Sequence, residues 1–598
     1  MVASPRMRAI RELPLAAPLL LAALALFFGG GPSDGSIFWL GAAAAGAIVL
    51  LLATAGAPGG AGAVAPLALL AVACAVSIAW SGLPDRSWDY ANRTALYALL
   101  AGVGLWAAGR TTALARGLAL VLGALIAWSL LGKALPFVYD YGGPGPTRLR
   151  GPIGLWNQLA LATDYALVLA LTVRRAPGTL LAYVALVALV LTYSRGGVVT
   201  AALVCAAWFA FSRERAEGAV TLVAAAVPAA VVGGLAFALP GVTKDAQTLH
   251  VRWRDGLAFG ALLVAGAAAA ALLSRLPRPR PSRRLRVAGV LAGLAVVGAV
   301  AVVVAVHGIG SGAVGNSGGR LGSTSSNFRF TWWSQAWQGF RDHPLGGAGA
   351  GAFHLLNLRF RTTYLDYTIE PHDLPVQFLA ELGIVGLAIL ALACGALIRP
   401  SLRRSGHELA LALLLPAFLV HALVDVDWDF AAVAAPAFVA AGALAGRPAT
   451  RRVPAYALLP AVGVALALLG SLASPWLARR YAGDALAAGY ARSITLARRA
   501  HSLDPLLVDP YWAKAYAYDR RRLTVAAFRE FVGAVHRQPK NPQTWLAAGE
   551  YAKTSGCPYL AYTYLERFTE LDPYARPSEG ADDYRRVLYQ VNHRQYRC

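Results

Sequence analysis

The sequence predicts an all-α protein, in which a polytopic α-helical membrane domain is followed by a C-terminal α-helical repeat domain. Of its 598 residues, 57% are hydrophobic and only 14% are charged, and the mean hydropathy is +0.52. Soluble globular proteins usually carry about 25% charged residues. Apolar runs near 20 residues recur along the chain, as bilayer-spanning helices require. A 34-residue periodicity near the C-terminus indicates helical repeats.

The expected membrane domain, residues 1–475, contains about 15 apolar segments, and we expect about 12 to 15 of them to span a membrane. The first segment follows Arg6, Arg8 and Arg11 and resembles a signal sequence, but it lacks a clear cleavage site. We therefore interpret it as the first spanning helix. The segments lie at 13–30, 36–56, 63–82, 94–109, 112–135, 158–173, 178–194, 196–212, 218–239, 257–276, 287–307, 374–398, 407–424, 430–446 and 453–475.

The formal net charge of +23 comes largely from arginines in short loops between these segments. Arginine-rich short loops are typically cytoplasmic. This bias explains the positive charge without nucleic acid, and we expect no nucleic-acid partner. It places the N-terminus on the cytoplasmic side and the C-terminal region on the opposite side. The segments then expected outside are 81–93, 136–156, 241–255, 308–373 and 425–429.

The C-terminal region, residues 476–598, is expected to form a separate extracytoplasmic domain. Its period equals that of tetratricopeptide repeats, and two to three such repeats fit the region. Repeat arrays commonly bind other proteins through a concave face, so a protein partner is expected; a generic helical tail is the alternative. Cys557 and Cys598 lie here and can pair if the region is exported. The residues that recur are Asp504-Pro505, Gln538-Pro539 and Asp572-Pro573.

The longest polar interval between two membrane-length segments, 308–373, is where we expect the chemistry. It opens with a Gly/Ser-rich stretch, 308–326, that leads to Arg329 within Asn-Phe-Arg-Phe-Thr-Trp-Trp. A guanidinium donates two parallel hydrogen bonds to phosphate oxygens. Aromatic residues around an arginine are also typical of a membrane-interface belt, so both interpretations stay open for Arg329.

Two further arginines are candidates for the same chemistry. Arg341 opens Arg-Asp-His-Pro-Leu, ahead of a glycine run, 346–351, that permits close approach of the backbone to a ligand. A plain loop is equally allowed for His343. Arg195 lies in Thr-Tyr-Ser-Arg-Gly-Gly at the expected outer end of a span. It is expected to bind phosphate, although snorkelling to the membrane surface is the alternative.

His372 is the candidate base. It precedes a helix that Asp373 is expected to cap, with Pro375 in the first turn. A helix N-terminus favours the neutral imidazole, which can take a proton from an acceptor hydroxyl. Glu370 and Asp373 are expected to orient the ring. The alternative is a histidine that merely precedes a capped helix.

A third acid, Asp425, follows a later span, and carboxylates at membrane depth are usually functional. Its neighbours Asp427 and Asp429 resemble a solvated loop. Arginines suit a diphosphate, a histidine suits a hydroxyl nucleophile and apolar helices suit a lipid tail. The consistent substrate is therefore a lipid diphosphate whose attached group is transferred to a hydroxyl. The chain has neither C-x-x-C nor H-E-x-x-H, and we expect no metal and no cofactor.

These motifs resemble the O-antigen ligase and O-antigen polymerase superfamily over roughly residues 150–450. His372-Asp373, nine residues and then Gly-Ile-Val-Gly, 383–386, are similar to the ligase pattern of His, a polar residue, nine spacers and Gly-x-x-Gly. Asp373 departs from it, because ligases usually carry Asn, Ser or Gln there. Ser-Arg-Gly around Arg195 and the segment around Arg329 also resemble the family.

The resemblance implies a metal-independent, inverting glycosyltransferase in the bacterial cytoplasmic membrane. Its donor would be an undecaprenyl-diphosphate-linked glycan, and its acceptor a hydroxyl of a glycan, lipid or protein on the outer face. The resemblance implies that the arginines bind the diphosphate and that the histidine assists the acceptor. The residues carried over are Arg195, Arg329, His372, Arg341 and Asp425. Glu370 and Asp373 are expected to support His372 because they lie beside it in the sequence.

Three alternatives to a ligase stay open. A polymerase would use the same chemistry to extend lipid-linked repeats. A transporter of lipid-linked sugars would place its polar groups near the membrane midplane, whereas here they are expected at one face. A scaffold would use the repeats and leave the membrane domain inert.

Overall fold

The structure is a computed structural model that describes residues 5–28, 33–138, 148–277, 282–307, 323–402, 404–449, 452–576 and 580–592. These residues form 24 α-helices joined by turns and short 3-10 helices, with no β-strand among them. The prediction of an all-α polytopic membrane protein is confirmed. Most of the Gly/Ser-rich stretch 308–326, the middle of the 136–156 loop and a Cys557–Cys598 pairing lie outside the described residues.

The helices of the first half of the chain are α1 (Pro5–Phe28), α2 (Asp34–Ala55), α3 (Ala65–Val76), α4 (Pro84–Gly104), α5 (Thr111–Ala134), α6 (Trp156–Ala170), α7 (Ala176–Thr192), α8 (Arg195–Phe211), α9 (Arg215–Ala236), α10 (Pro240–Thr243), α11 (Leu249–Leu273) and α12 (Arg283–His307). Those of the second half are α13 (Arg329–Asp342), α14 (Phe353–Phe360), α15 (Leu374–Ile398), α16 (His407–His421), α17 (Ala431–Ala445), α18 (Ala455–Ala487), α19 (Tyr490–Leu503), α20 (Asp509–Asp519), α21 (Thr524–Arg537), α22 (Pro542–Thr554), α23 (Pro558–Leu571) and α24 (Ala581–Asn592).

Eight helical segments of the described chain are long and apolar enough to cross a membrane. They are α1, α2, α3 with the turns that flank it, α5, α9, α11, α15 and α18. There are also four shorter apolar helices, α7, α8, α16 and α17. Counted together, these 12 described helices equal the lower end of the predicted 12 to 15 spans. At 1.5 Å per residue, helices of 15 to 17 residues measure about 22–26 Å, less than a bilayer core of about 30 Å.

The short helix α17 is surrounded by protein and is shorter than a helix that spans the bilayer. All its side chains from Ala431 to Leu444 are buried, so its length need not match the bilayer. Small residues allow neighbouring backbones to approach closely. A Cβ atom on Gly442 of α17 would lie 1.9 Å from the carbonyl oxygen of Ala101 in α4, and any larger residue would therefore separate these helices.

The chain divides into two compact units. The first unit comprises residues 1–66, 96–328 and 392–465. The second unit comprises residues 67–95, 329–391 and 466–598. It therefore combines the segment that carries His372 with the C-terminal helices. The predicted domain boundary after residue 475 falls inside the continuous helix α18 and stays a prediction, as does the side of the membrane on which each terminus lies.

The C-terminal helices α19 to α24 pack on one another in sequential order. α19, α21 and α23 end at residues 503, 537 and 571, one residue before each recurring Asp-Pro or Gln-Pro pair. A proline at this distance prevents the helix from continuing. The 34-residue period of the sequence is therefore also a period of helix ends. Assignment to the tetratricopeptide class stays a prediction.

Candidate active site

His372 lies in the second unit, in the turn before α15. Its backbone has a φ of 58°, and Asp373 caps α15 through a hydrogen bond from Val376 N to Asp373 Oδ1 of 2.8 Å. Imidazole Nδ1 donates to the carbonyl oxygen of Glu370 at 3.1 Å. Because a carbonyl only accepts, Nδ1 carries the proton and the neutral ring keeps its lone pair on Nε2. Nε2 is therefore the atom that can act as a base.

Two indoles of α13 hold the histidine segment. The Trp332 ring packs on the His372 ring with centroids 4.8 Å apart. Trp332 Nε1 also donates to the carbonyl oxygen of Asp366 at 2.7 Å, and Trp333 Nε1 donates to that of Pro371 at 3.1 Å. These two aromatic residues therefore fix the backbone and the ring of the His372 segment.

A buried asparagine of α14 braces the same segment. Asn357 is fully buried, and its Nδ2 donates to Gln335 Oε1 at 2.9 Å and to Asp366 O at 3.0 Å. Its Oδ1 accepts from Thr368 N at 3.1 Å, and Thr368 Oγ1 donates to Glu370 O at 2.8 Å. Hydrogen bonds therefore run from α14 to the carbonyl that fixes the His372 ring. Asn357 and Thr368 carry no recognisable sequence motif.

The two acids expected to orient His372 use different atoms. Glu370 holds the imidazole through its backbone carbonyl, while its carboxylate accepts from Arg86 Nη2 at 3.3 Å. The Asp373 carboxylate caps α15, and burial raises its pKa. Arg86, near the start of α4, is not singled out by the sequence, because one arginine between two apolar segments has no distinguishing pattern.

Arg329 and Arg341 lie at opposite ends of α13. Their separation of 12 positions in the sequence corresponds to about 18 Å along a helix axis. Arg329 follows two residues with left-handed backbone, Asn327 and Phe328, with φ of 54° and 64°, so the chain turns sharply into the helix there. Arg341 is exposed. The structure therefore does not bring these two candidates together.

His343 lines a groove of about 880 Å³ whose wall does not include His372. The wall of this groove includes Trp80, Leu345 and the beginning of the glycine run, together with Lys540 and Arg567 of the C-terminal helices. His343 is exposed, as the plain-loop alternative predicts.

The Gly-x-x-Gly motif marks a break in α15. Gly383 has a φ of 66° and interrupts the helix. A Cβ atom there would lie 2.3 Å from the carbonyl oxygen of Leu345. Only glycine accommodates both the left-handed backbone and this close approach. The break allows the glycine run to pair with α15 through Ala348 N to Ala380 O (3.0 Å), Gly349 N to Glu381 O (2.8 Å) and Ile384 N to Pro344 O (2.9 Å).

Arg195 lies in the first unit at the start of α8. Ser194 caps this helix, because its hydroxyl accepts from Gly197 N at 3.1 Å. The Arg195 guanidinium donates to the carbonyl oxygens of Ser323 and Ser325, the second at 2.8 Å. Arg195 thus uses part of its donor set to hold the backbone that leads to α13.

Asp425, also in the first unit, belongs to a buried polar network. Its carboxylate accepts from Asn157 Nδ2 and, at 3.4 Å, from Gln158 Nε2. The same Gln158 nitrogen donates to Asp427 at 3.1 Å, and His421 Nδ1 donates to Asp427 Oδ2 at 2.6 Å. The network joins the start of α6 to the turn between α16 and α17.

The expectation of a solvated loop at Asp427 and Asp429 is wrong. Asp427 is fully buried and Asp429 is 8% exposed. Sequence spacing alone does not reveal that the side chains of Gln158 and His421 replace water at Asp427. The network also lies against the Ser-Arg-Gly motif, since a Cβ atom on Gly196 would lie 3.5 Å from His421 Nε2.

Arg148 is a buried cation that the sequence does not single out. Its Nε donates to the carbonyl oxygen of Thr192 at 2.8 Å, and its Nη2 donates to Asn157 Oδ1 at 3.2 Å. Its guanidinium stacks on Trp156 at 4.0 Å from the ring centroid. Arg148 therefore connects the end of α7 to Asn157, which also binds Asp425. In the sequence, only the proximity of Arg148 to Trp156 points to this role.

Comparison with known protein families gives one match. Residues 256–391 match the family model described as O-Antigen ligase, and no curated protein matches the chain. The matched range contains Arg329, Arg341, His372 and the break at Gly383. Together with the eight helices in the described part of the chain that are able to cross a membrane, the match supports a multi-pass protein of the bacterial inner membrane. Residues 256–391 are thus similar to the O-antigen ligases, glycosyltransferase-like membrane enzymes of the ligase and polymerase family that act on lipid-linked glycans.

Proposed function

We propose that this protein is an O-antigen ligase-like glycosyltransferase, which moves a glycan from undecaprenyl diphosphate to a hydroxyl acceptor on the outer face of the inner membrane. The observation that carries the proposal is the His372 imidazole, whose Nδ1 lies 3.1 Å from the Glu370 carbonyl oxygen. A carbonyl accepts, so in the neutral ring the lone pair is on Nε2. This group lies within the range that matches the ligase family.

In the proposed step, the acceptor hydroxyl oxygen attacks the anomeric carbon of the glycan. The bond from that carbon to the diphosphate oxygen breaks, and the hydroxyl proton passes to His372 Nε2. Attack opposite the leaving group inverts the anomeric centre. A neutral imidazole suits this task, since general-base catalysis contributes roughly 10²- to 10⁴-fold.

The leaving group is undecaprenyl diphosphate, and charge stabilisation on it falls to arginine in this proposal. Guanidinium groups match phosphate oxygens with paired hydrogen bonds and stay protonated throughout. Arg329 and Arg195 are the first candidates. Arg341 is the weaker candidate, because it lies at the far end of α13 from Arg329. The proposed chemistry uses no cofactor and no metal ion.

The lipid-linked glycan pool of a strain lacking this protein tests the proposal. A ligase leaves long polymers stranded on undecaprenyl diphosphate, because nothing transfers them. A polymerase leaves only single repeat units on the same carrier. An unchanged pool with intact surface polysaccharide contradicts both forms of the proposal.

A further inference from the structure

The three polar residues that recur in the C-terminal region share an unusual environment. Asp504, Gln538 and Asp572 each follow the end of a helix and are spaced by 34 residues. They are 0%, 1% and 2% exposed, although carboxylates and amides usually lie at the surface. Because equivalent residues of stacked repeats fall along one edge of an array, we call these three residues the corner edge.

The last corner residue forms a buried ion pair with the segment that carries His372. Asp572 accepts from Arg361 Nη2 at 2.6 and 2.7 Å and from Arg361 Nε at 3.0 Å. Both side chains are 2% exposed. Such a bidentate arrangement fixes direction as well as distance. Removing one partner of a buried pair leaves the other charge uncompensated, which typically destabilises strongly.

The middle corner residue binds a second element of the same unit. Gln538 Nε2 donates to Asp85 Oδ1 at 2.7 Å, near the start of α4. The neighbouring backbone packs closely, since a Cβ atom on Gly82 would lie 2.6 Å from Leu355 of α14 and 3.4 Å from Lys540. The corner edge therefore contacts two elements that support the His372 segment: the start of α4 and the end of α14.

A continuous set of contacts leads from this edge to the catalytic candidate. Arg361 directly follows α14, the helix that supplies Asn357. Asn357 binds Thr368, and Thr368 binds the Glu370 carbonyl to which His372 donates. The C-terminal helices thus support the His372 segment through α14. The ion pair itself does not contact the imidazole.

We propose that the corner edge is an intramolecular clamp, and that Arg361 and Asp572 are positioning residues for His372. The C-terminal helices then belong to the machinery of the site, whatever partner their other surfaces bind. The clamp itself is independent of the reaction. Its effect on turnover rests on the proposed function.

The test combines hydrogen exchange with turnover in the full-length protein. Asp572→Asn keeps the shape of the side chain and removes its charge. We expect amide exchange across residues 362–373 to rise at least about tenfold, because the bracing free energy falls by more than about 1.4 kcal/mol. The maximal rate of glycan transfer should fall by a similar factor, while the concentration of lipid-linked donor at half-maximal rate stays unchanged.

Two variants distinguish positioning from general instability. Glu530→Gln breaks the Lys514–Glu530 pair, 2.6 Å long and 17% and 18% exposed, which lies within the C-terminal helices. It should leave exchange at 362–373 unchanged. Arg361→Asp combined with Asp572→Arg should recover part of the protection that either single change removes.

Equal exchange at 362–373 in Asp572→Asn and Glu530→Gln would overturn the clamp. The clamp would also be overturned if, in both variants, turnover falls only in proportion to the fall in melting temperature. If exchange changes as expected but the wild-type protein transfers no glycan, the clamp stands and the proposed function fails.

Discussion

Three histidines of residues 329–373 occupy three different surroundings. His343 is exposed in the groove wall. His372 is half-buried and held by a carbonyl and an indole ring. His354 is more deeply enclosed, beside the Tyr367 ring at 5.4 Å. Burial, followed by the charges of Arg86 and Arg361, lowers the pKa of His354 from 6.5 to about 4.

Replacing His354 with Phe should remove a pH dependence of stability. Unfolded His354 binds a proton near pH 6.5, but the folded residue does so only near pH 4. Protonation therefore favours the unfolded state, and the native state loses stability as the pH falls from 6.5 towards 4. By linkage the loss attributable to His354 is about 2 kcal/mol at pH 5.

Thermal melts of wild type and His354→Phe at pH 7 and pH 5 measure this difference. Between pH 7 and pH 5, the melting temperature should fall further for the wild type than for the variant. The buried acids of the second unit titrate in both proteins and cancel in the comparison. Equal losses would contradict the low pKa of His354.

Sequence reasoning identifies His372 and Arg329 because their residue types and spacing suit the proposed chemistry. It places Glu370 beside His372 but does not predict which atom makes the contact: the carbonyl binds the ring and the carboxylate binds Arg86. Asn357 acts through contacts 9 to 22 residues away, and a single sequence contains no signal for such a role.

At the level of elements, the break in α15 connects the glycine run to the helix that follows His372. Gly383 combines a φ of 66° with a carbonyl that would lie 2.3 Å from an added Cβ atom. A non-glycine residue in a strained conformation costs roughly 1–3 kcal/mol, and the steric contact adds to it. The spacing of Gly-x-x-Gly from His372 is visible in the sequence, but its cause is the pairing of two backbone segments.

Gly383→Ala should lower the melting temperature and reduce transfer, because the glycine run must move away from α15. We expect a loss of more than about 2 kcal/mol. Gly395→Ala is the matched control, since Gly395 lies in the same helix with nothing within 4 Å of its added Cβ. In a helix interior that change is expected to stabilise by up to about 1 kcal/mol. Similar melting temperatures for the two variants would contradict the role of the break.

At the scale of the whole molecule, composition and apolar periodicity suffice for the fold class. The number of full-length spans does not follow from the same information. A hydropathy window detects apolar side chains, but a helix such as α17, which is surrounded by protein, need not be as long as the bilayer is thick. The sequence also predicts the period of the C-terminal helices. It does not predict that their corner edge binds the His372 segment, because Arg361 and Asp572 are 211 positions apart.

In the proposed function, His372 removes the acceptor proton during glycan transfer. A strain lacking the protein, with its lipid-linked glycan accumulated, provides the substrate. Induced expression of wild type or His372→Ala at equal membrane abundance then allows the initial rate of glycan discharge to be compared. We expect the variant to discharge glycan roughly 10²- to 10⁴-fold more slowly, with an unchanged melting temperature. Discharge at the wild-type rate by His372→Ala would contradict the account.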